Sequence, residues 1–168
     1  LAGTGGIGKT RLSLAVANAV ARRYTEGAVF VPLAEITDAE LVVAAVAEAL
    51  QVAEVPGQAL LDSLLDRLAD ASVLLVLDNF EQVMTAAWVV AEILAAGPDV
   101  HALVTSRQPL SIYGEQVHRL RPLALPDLAE LPGGAAGVAQ AVRESPAVAL
   151  FEQRARAVNS EFQLTPQA

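Results

Sequence analysis

The stretch Gly3-Thr4-Gly5-Gly6-Ile7-Gly8-Lys9-Thr10 constrains what this chain can fold into more than any other. It fits a glycine, four free positions, then Gly-Lys-Ser/Thr. Glycines allow positive φ and a close approach of backbone to ligand. The amide N–H groups of such a loop can then converge on an anion. A helix that starts at the end of the loop, through Arg11, adds the positive pole of its dipole at the same place. In this arrangement Lys9 reaches the β- and γ-phosphates of a nucleotide, and the Thr10 hydroxyl ligates Mg²⁺. Lys9 is also the only lysine in the chain; the remaining strong cations are all arginine. The competing reading, a glycine-rich turn before an ordinary helix, gives no reason for that lysine.

Composition narrows the alternatives. A chain of 168 residues, 54% hydrophobic, is long enough to bury a core of its own. No apolar run approaches the roughly 18 residues that a membrane span needs. There is no cysteine, and the two histidines, His101 and His118, make no zinc site by themselves. Each sits in a strand-like segment and reads as structural. The net charge of −8 is spread along the chain without a basic block. That argues against this segment gripping nucleic acid itself. With no signal-peptide pattern, the expected compartment is the cytoplasm.

Strand and helix signals alternate along the chain. Leu1-Ala2 is too short for the strand that feeds a phosphate loop, so that strand is expected upstream, largely missing from this sequence. Arg11 to Arg23 reads as a helix with Leu12, Ala15, Val16, Ala19 and Val20 as its apolar stripe. Ala28 to Leu33 is a strand. Thr37-Asp38-Ala39-Glu40 has capping-box spacing and predicts a helix to about Leu50, with Val42, Val46 and Ala49 inward. Pro56-Gly57 breaks the chain before a helix with Leu61, Leu64, Leu65 and Leu68 on one face. On its other face Asp62, Asp66 and Asp70 read as a solvated row.

Val73 to Leu77 is a continuous apolar run ending in Asp78, as suits a parallel strand covered on both faces. Met84 to Ala96 reads as a helix, His101 to Thr105 as a strand and Gln116 to Leu120 as a last strand. The domain reading is a nucleotide-binding domain over 1–125, a Pro/Gly/Ala-rich connector over 126–145, and a helix over 146–168 leading towards a next subdomain. Ser145-Pro146 has the pattern of an N-cap with proline at the first helical position. Val148, Phe151, Ala155 and Val158 keep helical spacing after it.

Alternating strands and helices imply an open parallel sheet with helices on both faces, which binds ligands at the carboxyl ends of its strands. Three groups fall there: the loop Gly3–Arg11, Asp78, and Arg107 after Thr105-Ser106. A strand-end carboxylate can hold Mg²⁺, which makes Thr10 and Asp78 the metal candidates. Thr105 and Ser106 are expected to set two hydroxyls beside the γ-phosphate, with Arg107 sensing its charge. Asn79, Glu81 and Gln82 are candidates for positioning a water; for Asn79, helix capping is an equal alternative. The guanine-selecting Asn-Lys-x-Asp motif needs a second lysine, so ATP is favoured over GTP.

The segments Gly3–Arg11, Leu75-Val76-Leu77-Asp78-Asn79-Phe80-Glu81-Gln82-Val83 and Leu103-Val104-Thr105-Ser106-Arg107 resemble the NB-ARC-type ATPase domain of bacterial STAND signal-transducing proteins. More narrowly, they look like the domain in large LuxR-like and SARP-like transcriptional regulators. The resemblance implies an α/β P-loop NTPase sandwich with strand order 5-1-4-3-2. It implies Gly3, Thr4, Gly5, Gly6, Ile7, Gly8, Lys9, Thr10 and Arg11 on ATP or ADP, and Thr10 and Asp78 on Mg²⁺. Lys9, Asp78, Glu81 and Arg107 would be the catalytic set. Asn79 stands where many relatives carry a second acid, which leaves the catalytic base open. The implied function is a slow ATPase switch, partnered by other domains of the same protein and by further copies of itself on activation. A P-loop enzyme that passes phosphate to a small acceptor, and an interaction domain independent of nucleotide, are the alternatives.

Overall fold

The computed structural model describes residues 1–125, 142 and 144–163. It is an α/β structure whose centre is the strand β2, Val73–Asp78, with all six residues buried. β2 pairs in parallel with β1, Ala28–Pro32, on one side and with β3, Val100–Val104, on the other. Pro32, which has no N–H to give a ladder, sits opposite Asp78 at the end of an edge strand, where proline is tolerated. Successive residues of a strand face opposite sides. Val73, Leu75 and Leu77 join the larger core with α2, Leu41–Ala49, α3, Leu60–Leu68, and α4, Ala87–Ala96. Leu74 and Val76 turn the other way and pack with Ala17 of α1, Lys9–Val20. Both faces of β2 are therefore covered, which is why its sequence is apolar without alternation.

Beyond β3 the chain pairs once more through a short segment. Ala2 is in parallel pairing with Ser106 on one side and with Arg119 on the other. Hydrogen bonds from Gly3 N to Ser106 O (3.2 Å) and from Leu120 N to Ala2 O (2.8 Å) hold it there. The last strand expected over Gln116 to Leu120 is thus reduced to a single paired position. Next to it a cavity of about 800 Å³ is lined by Leu103, Val104, Leu110 and Val117 among others.

Three sequence expectations change in the structure. The buried residues of α1 are Lys9, Ser13 and Ala17, while Ala15, Val16 and Ala19 are exposed. The helix begins at Lys9, and turning Lys9 inward brings the residues four and eight further on to the sheet. That phase leaves the stripe read from hydrophobicity only half-buried at Leu12 and Val20. Ser13 tolerates the site because its hydroxyl donates to Thr10 O at 2.8 Å.

The capping box at Thr37 does not form: α2 starts at Leu41, and Asp38 Oδ1 accepts from Glu40 N at 3.0 Å in a local turn. The helix expected from Met84 opens instead as two short 3₁₀ turns, Phe80–Gln82 and Met84–Ala86, before α4. The row Asp62, Asp66 and Asp70 is exposed, as its spacing suggested. Among the described residues no helix is long and apolar enough to cross a membrane.

The chain divides into two compact units, with the second starting at Arg121. Its helix α5, Pro146–Val158, has Ser145 as N-cap residue and proline in its first turn. The Ser145 hydroxyl donates to Ala124 O at 3.0 Å instead of capping the helix. None of the α5 stripe is buried, and Phe151 meets Phe162 edge to face, centroids 5.8 Å apart. Most of the connector 126–145, and the tail 164–168, lie outside the described residues.

The phase of α1 gives a direct test. Ala17→Asp puts an unpaired charge under the helix and should destabilise the chain by about 2 kcal/mol or more, whereas Val16→Asp should stay within about 0.5 kcal/mol. Urea unfolding of both variants reads the difference; equal losses would mean the helix is turned the other way.

Candidate functional site

The loop before α1 is shaped by two glycines in the left-handed region, Gly6 at φ 75° and Gly8 at φ 97°. A side chain would be strained at either place. Gly8 is the N-cap residue of α1, so the first helical amides follow the loop directly. Residues Thr4 to Gly6 and Gly8 are exposed, and Lys9 is buried. Lys9 folds back over the loop, its Nζ donating to Gly3 O at 2.9 Å and to Thr4 O at 3.1 Å. An ammonium carries three N–H donors, so one remains for a ligand.

The alternation of β2 sets Asp78 on the same face as Leu74 and Val76, the face that α1 covers. Asp78 there meets Thr10, whose hydroxyl donates to Asp78 Oδ2 at 2.9 Å. The same alternation on β3 brings Thr105 round to the other carboxylate oxygen, Oδ1, at 2.6 Å. Thr105 is fully buried, and its hydroxyl also accepts from Asn79 N at 3.0 Å. A buried carboxylate is thereby bracketed by two hydroxyls, one from α1 and one from the segment just after β3. Thr10 and Asp78 put two hard oxygen donors together beside the phosphate loop, a set that fits Mg²⁺. Among the described residues there is no group of three or more acids and histidines that could hold a metal by themselves. Magnesium does not require one when substrate phosphates complete its shell.

After Asp78 the chain turns sharply. Asn79 has φ 63°, a conformation asparagine tolerates better than most residues. It occupies the N-cap position of the 3₁₀ turn without a side-chain cap bond. Phe80 is fully buried and its N–H donates to Thr105 O at 2.9 Å. Glu81 follows, with a side chain only 10% exposed, and its Oε1 accepts from Arg107 Nε at 3.2 Å. Glu81 Oε2 is buried and has no hydrogen-bond partner among the described residues. Arg107 Nη2 lies 3.9 Å from the point where a Cβ on Gly5 would be.

The structure therefore brings together Lys9, Thr10, Asp78, Glu81 and Arg107 around the loop Gly3–Gly8. Arg11 is exposed on α1, and Ile7 is half-buried. The hydroxyl pair expected beside a γ-phosphate is engaged elsewhere: Thr105 on Asp78, and Ser106 with Met84 Sδ at 3.7 Å and Gln108 N at 3.3 Å. The bond from Thr105 to Asp78 was not among the sequence expectations; the alternation through Leu103 carries the signal that Thr105 faces Asp78. The 800 Å³ cavity beside β3 includes none of the residues Gly3 to Thr10 in its lining. His101 is exposed, with Tyr24 edge-on at 5.5 Å, and stands apart from the loop site.

Comparison with known proteins agrees on sequence more than on structure. No protein-family model matches the chain. A Mycobacterium tuberculosis (strain ATCC 25618 / H37Rv) protein named "Putative HTH-type transcriptional regulator" is 40% identical over 128 residues, 76% of this chain and 14% of that protein. A Mycobacterium bovis protein of the same name matches equally. An "Uncharacterized protein" of the same M. tuberculosis strain is 32% identical over 163 residues, 96% of this chain and 37% of its own length. The chain thus spans a minor part of the curated relatives it matches. Among solved structures, the Aeropyrum pernix ORC2 protein (ADPNP-ADP complexes) aligns with a TM-score of 0.48 and 15% identity, over 63% of this chain and 33% of that one.

Thr105 supplies the prediction here. Thr105→Val keeps the shape but leaves Asp78 Oδ1 and the Asn79 amide without their partner, which should cost about 1–3 kcal/mol. Thr105→Ser should restore most of it. Chemical denaturation separates them, and a valine variant as stable as the parent would remove the bracket from the account of the site.

Proposed function

We propose that this chain is the ATP/ADP-binding switch module of a multidomain bacterial transcriptional regulator, of the NB-ARC type found in STAND proteins. The observation that carries the proposal is the convergence of Lys9 over its loop with Thr10 hydrogen-bonded to Asp78. In this reading the loop amides and Lys9 hold the phosphates. Thr10 and Asp78 hold Mg²⁺, which neutralises charge on the phosphates when bound. Arg107 senses the γ-phosphate. The paired positions of Ala2 with Ser106 and with Arg119 support the five-strand order 5-1-4-3-2 of a P-loop NTPase. The relatives named as HTH-type regulators support a regulatory setting, with DNA contacted by another part of the protein. Other domains and further copies of the chain are the proposed partners, and the cytoplasm the proposed compartment.

Hydrolysis should be slow. Asn79 cannot accept a proton from water, and Glu81 has one oxygen committed to Arg107 and the other buried. General-base help of this kind is typically worth about 10²–10⁴-fold. The phosphotransferase alternative would need free arginines over an acceptor; Arg156 is paired with Glu152 at 2.6 Å along α5.

Two measurements test the proposal. Lys9→Ala should weaken ATP and ADP binding at least about tenfold, roughly 1.4 kcal/mol, with the circular dichroism spectrum unchanged. Calorimetric titration gives the affinities, and equal values for parent and variant would end the assignment. Steady-state phosphate release by the full chain should fall well below about 1 s⁻¹, the low end of ordinary enzyme turnover, and drop further in Glu81→Gln. Fast release would favour the phosphotransferase reading.

A further inference from the structure

We infer that Glu81 is a positioning residue whose buried carboxylate aims Arg107 at the open end of the phosphate loop and so sets the preference for a nucleoside triphosphate over a diphosphate. The inference rests on the nucleotide-binding reading above. Its basis is the unequal burial of the two partners: the Glu81 side chain is 10% exposed and that of Arg107 is 65% exposed. The acid is the fixed member. It rides on a 3₁₀ turn anchored by the fully buried Phe80, and that turn is tied to the arginine's own segment by Asn79 N to Thr105 Oγ1 and Phe80 N to Thr105 O. Arginine is the long, mobile member, held at one point.

The way it is held matters. Arginine and a carboxylate bind best as a fork, with two parallel N–H···O bonds. Here only Nε is used, and Glu81 Oε2 stays buried without a partner. Leaving a buried charged oxygen bare is unfavourable, so the pair is not arranged for its own stability. What the arrangement achieves is direction. With Nε tethered, Nη2 reaches the neighbourhood of Gly5. Neither terminal nitrogen has a protein hydrogen bond among the described residues. A planar guanidinium presented in this way suits a phosphate oxygen beyond those that Lys9 and the loop amides hold, which a diphosphate does not provide.

The test is a double-mutant cycle on the full chain, titrated by calorimetry with Mg²⁺ and either ADP or a non-hydrolysable ATP analogue. Arg107→Ala should lower the ratio of triphosphate to diphosphate affinity by about tenfold. Glu81→Ala should lower it comparably with ADP affinity nearly unchanged, and the double variant should lose no more than either single one, the mark of residues acting through one interaction. Glu81→Gln keeps an acceptor for Nε and should fall between parent and Glu81→Ala; it carries the test if the alanine variant is unstable. An unchanged ratio in the Glu81 variants, a tighter triphosphate, parallel losses for both nucleotides, or additive losses in the double variant would each overturn the inference. Failure of the parent chain to bind either nucleotide would instead overturn the function on which it rests.

Discussion

A strand buried on both faces has nowhere to keep a charge except at its end. β2 runs from Val73 to Asp78 without an exposed residue, and its single carboxylate is the last one. The site depends on this placement. One residue earlier, the acid would face the core of α2, α3 and α4; at 78 it faces α1. A carboxylate taken out of water needs compensating partners, and Asp78 has them from Thr10 and Thr105. Those two bonds connect the helix after the loop, the central strand and the segment after β3. The alignment of the loop with the sheet thus follows from satisfying one buried acid.

Much of this was legible from sequence because the signals are local. The phosphate loop announces itself through glycines that need positive φ and through a single lysine. The β2 run shows its double burial by lacking alternation, and Asp78 marks the strand's end. What escaped depends on contacts between distant segments. The buried stripe of α1 is not its most hydrophobic one. In the fold Lys9 sets the helix phase, and Ser13, a polar residue, takes a core position. The hydrogen-bond partners of Thr105 lie 27 and 26 residues away at Asp78 and Asn79, beyond the reach of any local pattern. The pairing of Glu81 with Arg107 likewise joins segments 26 residues apart, which no local pattern reveals.

The helix starts tell a related story. Thr37 and Glu40 satisfy the spacing of a capping box, yet Asp38 closes its own turn and the helix starts later. Ser145 has the sequence of a cap, but its hydroxyl is spent on a carbonyl 21 residues away. Side chains that can cap can also bond elsewhere, and tertiary structure decides which acceptor is nearer.

The position of Lys9 has a consequence for how fast an anion can be taken up. Its ammonium is already out of bulk water, solvated by the carbonyls of Gly3 and Thr4. In the nucleotide-binding reading, an incoming phosphate would not need to recruit the lysine from solution. It would meet a cation already solvated by backbone oxygen on two of its three N–H groups, with the third left to bond it directly. The loop is in this sense self-solvating: the peptide that would surround a ligand already serves its own lysine as solvent.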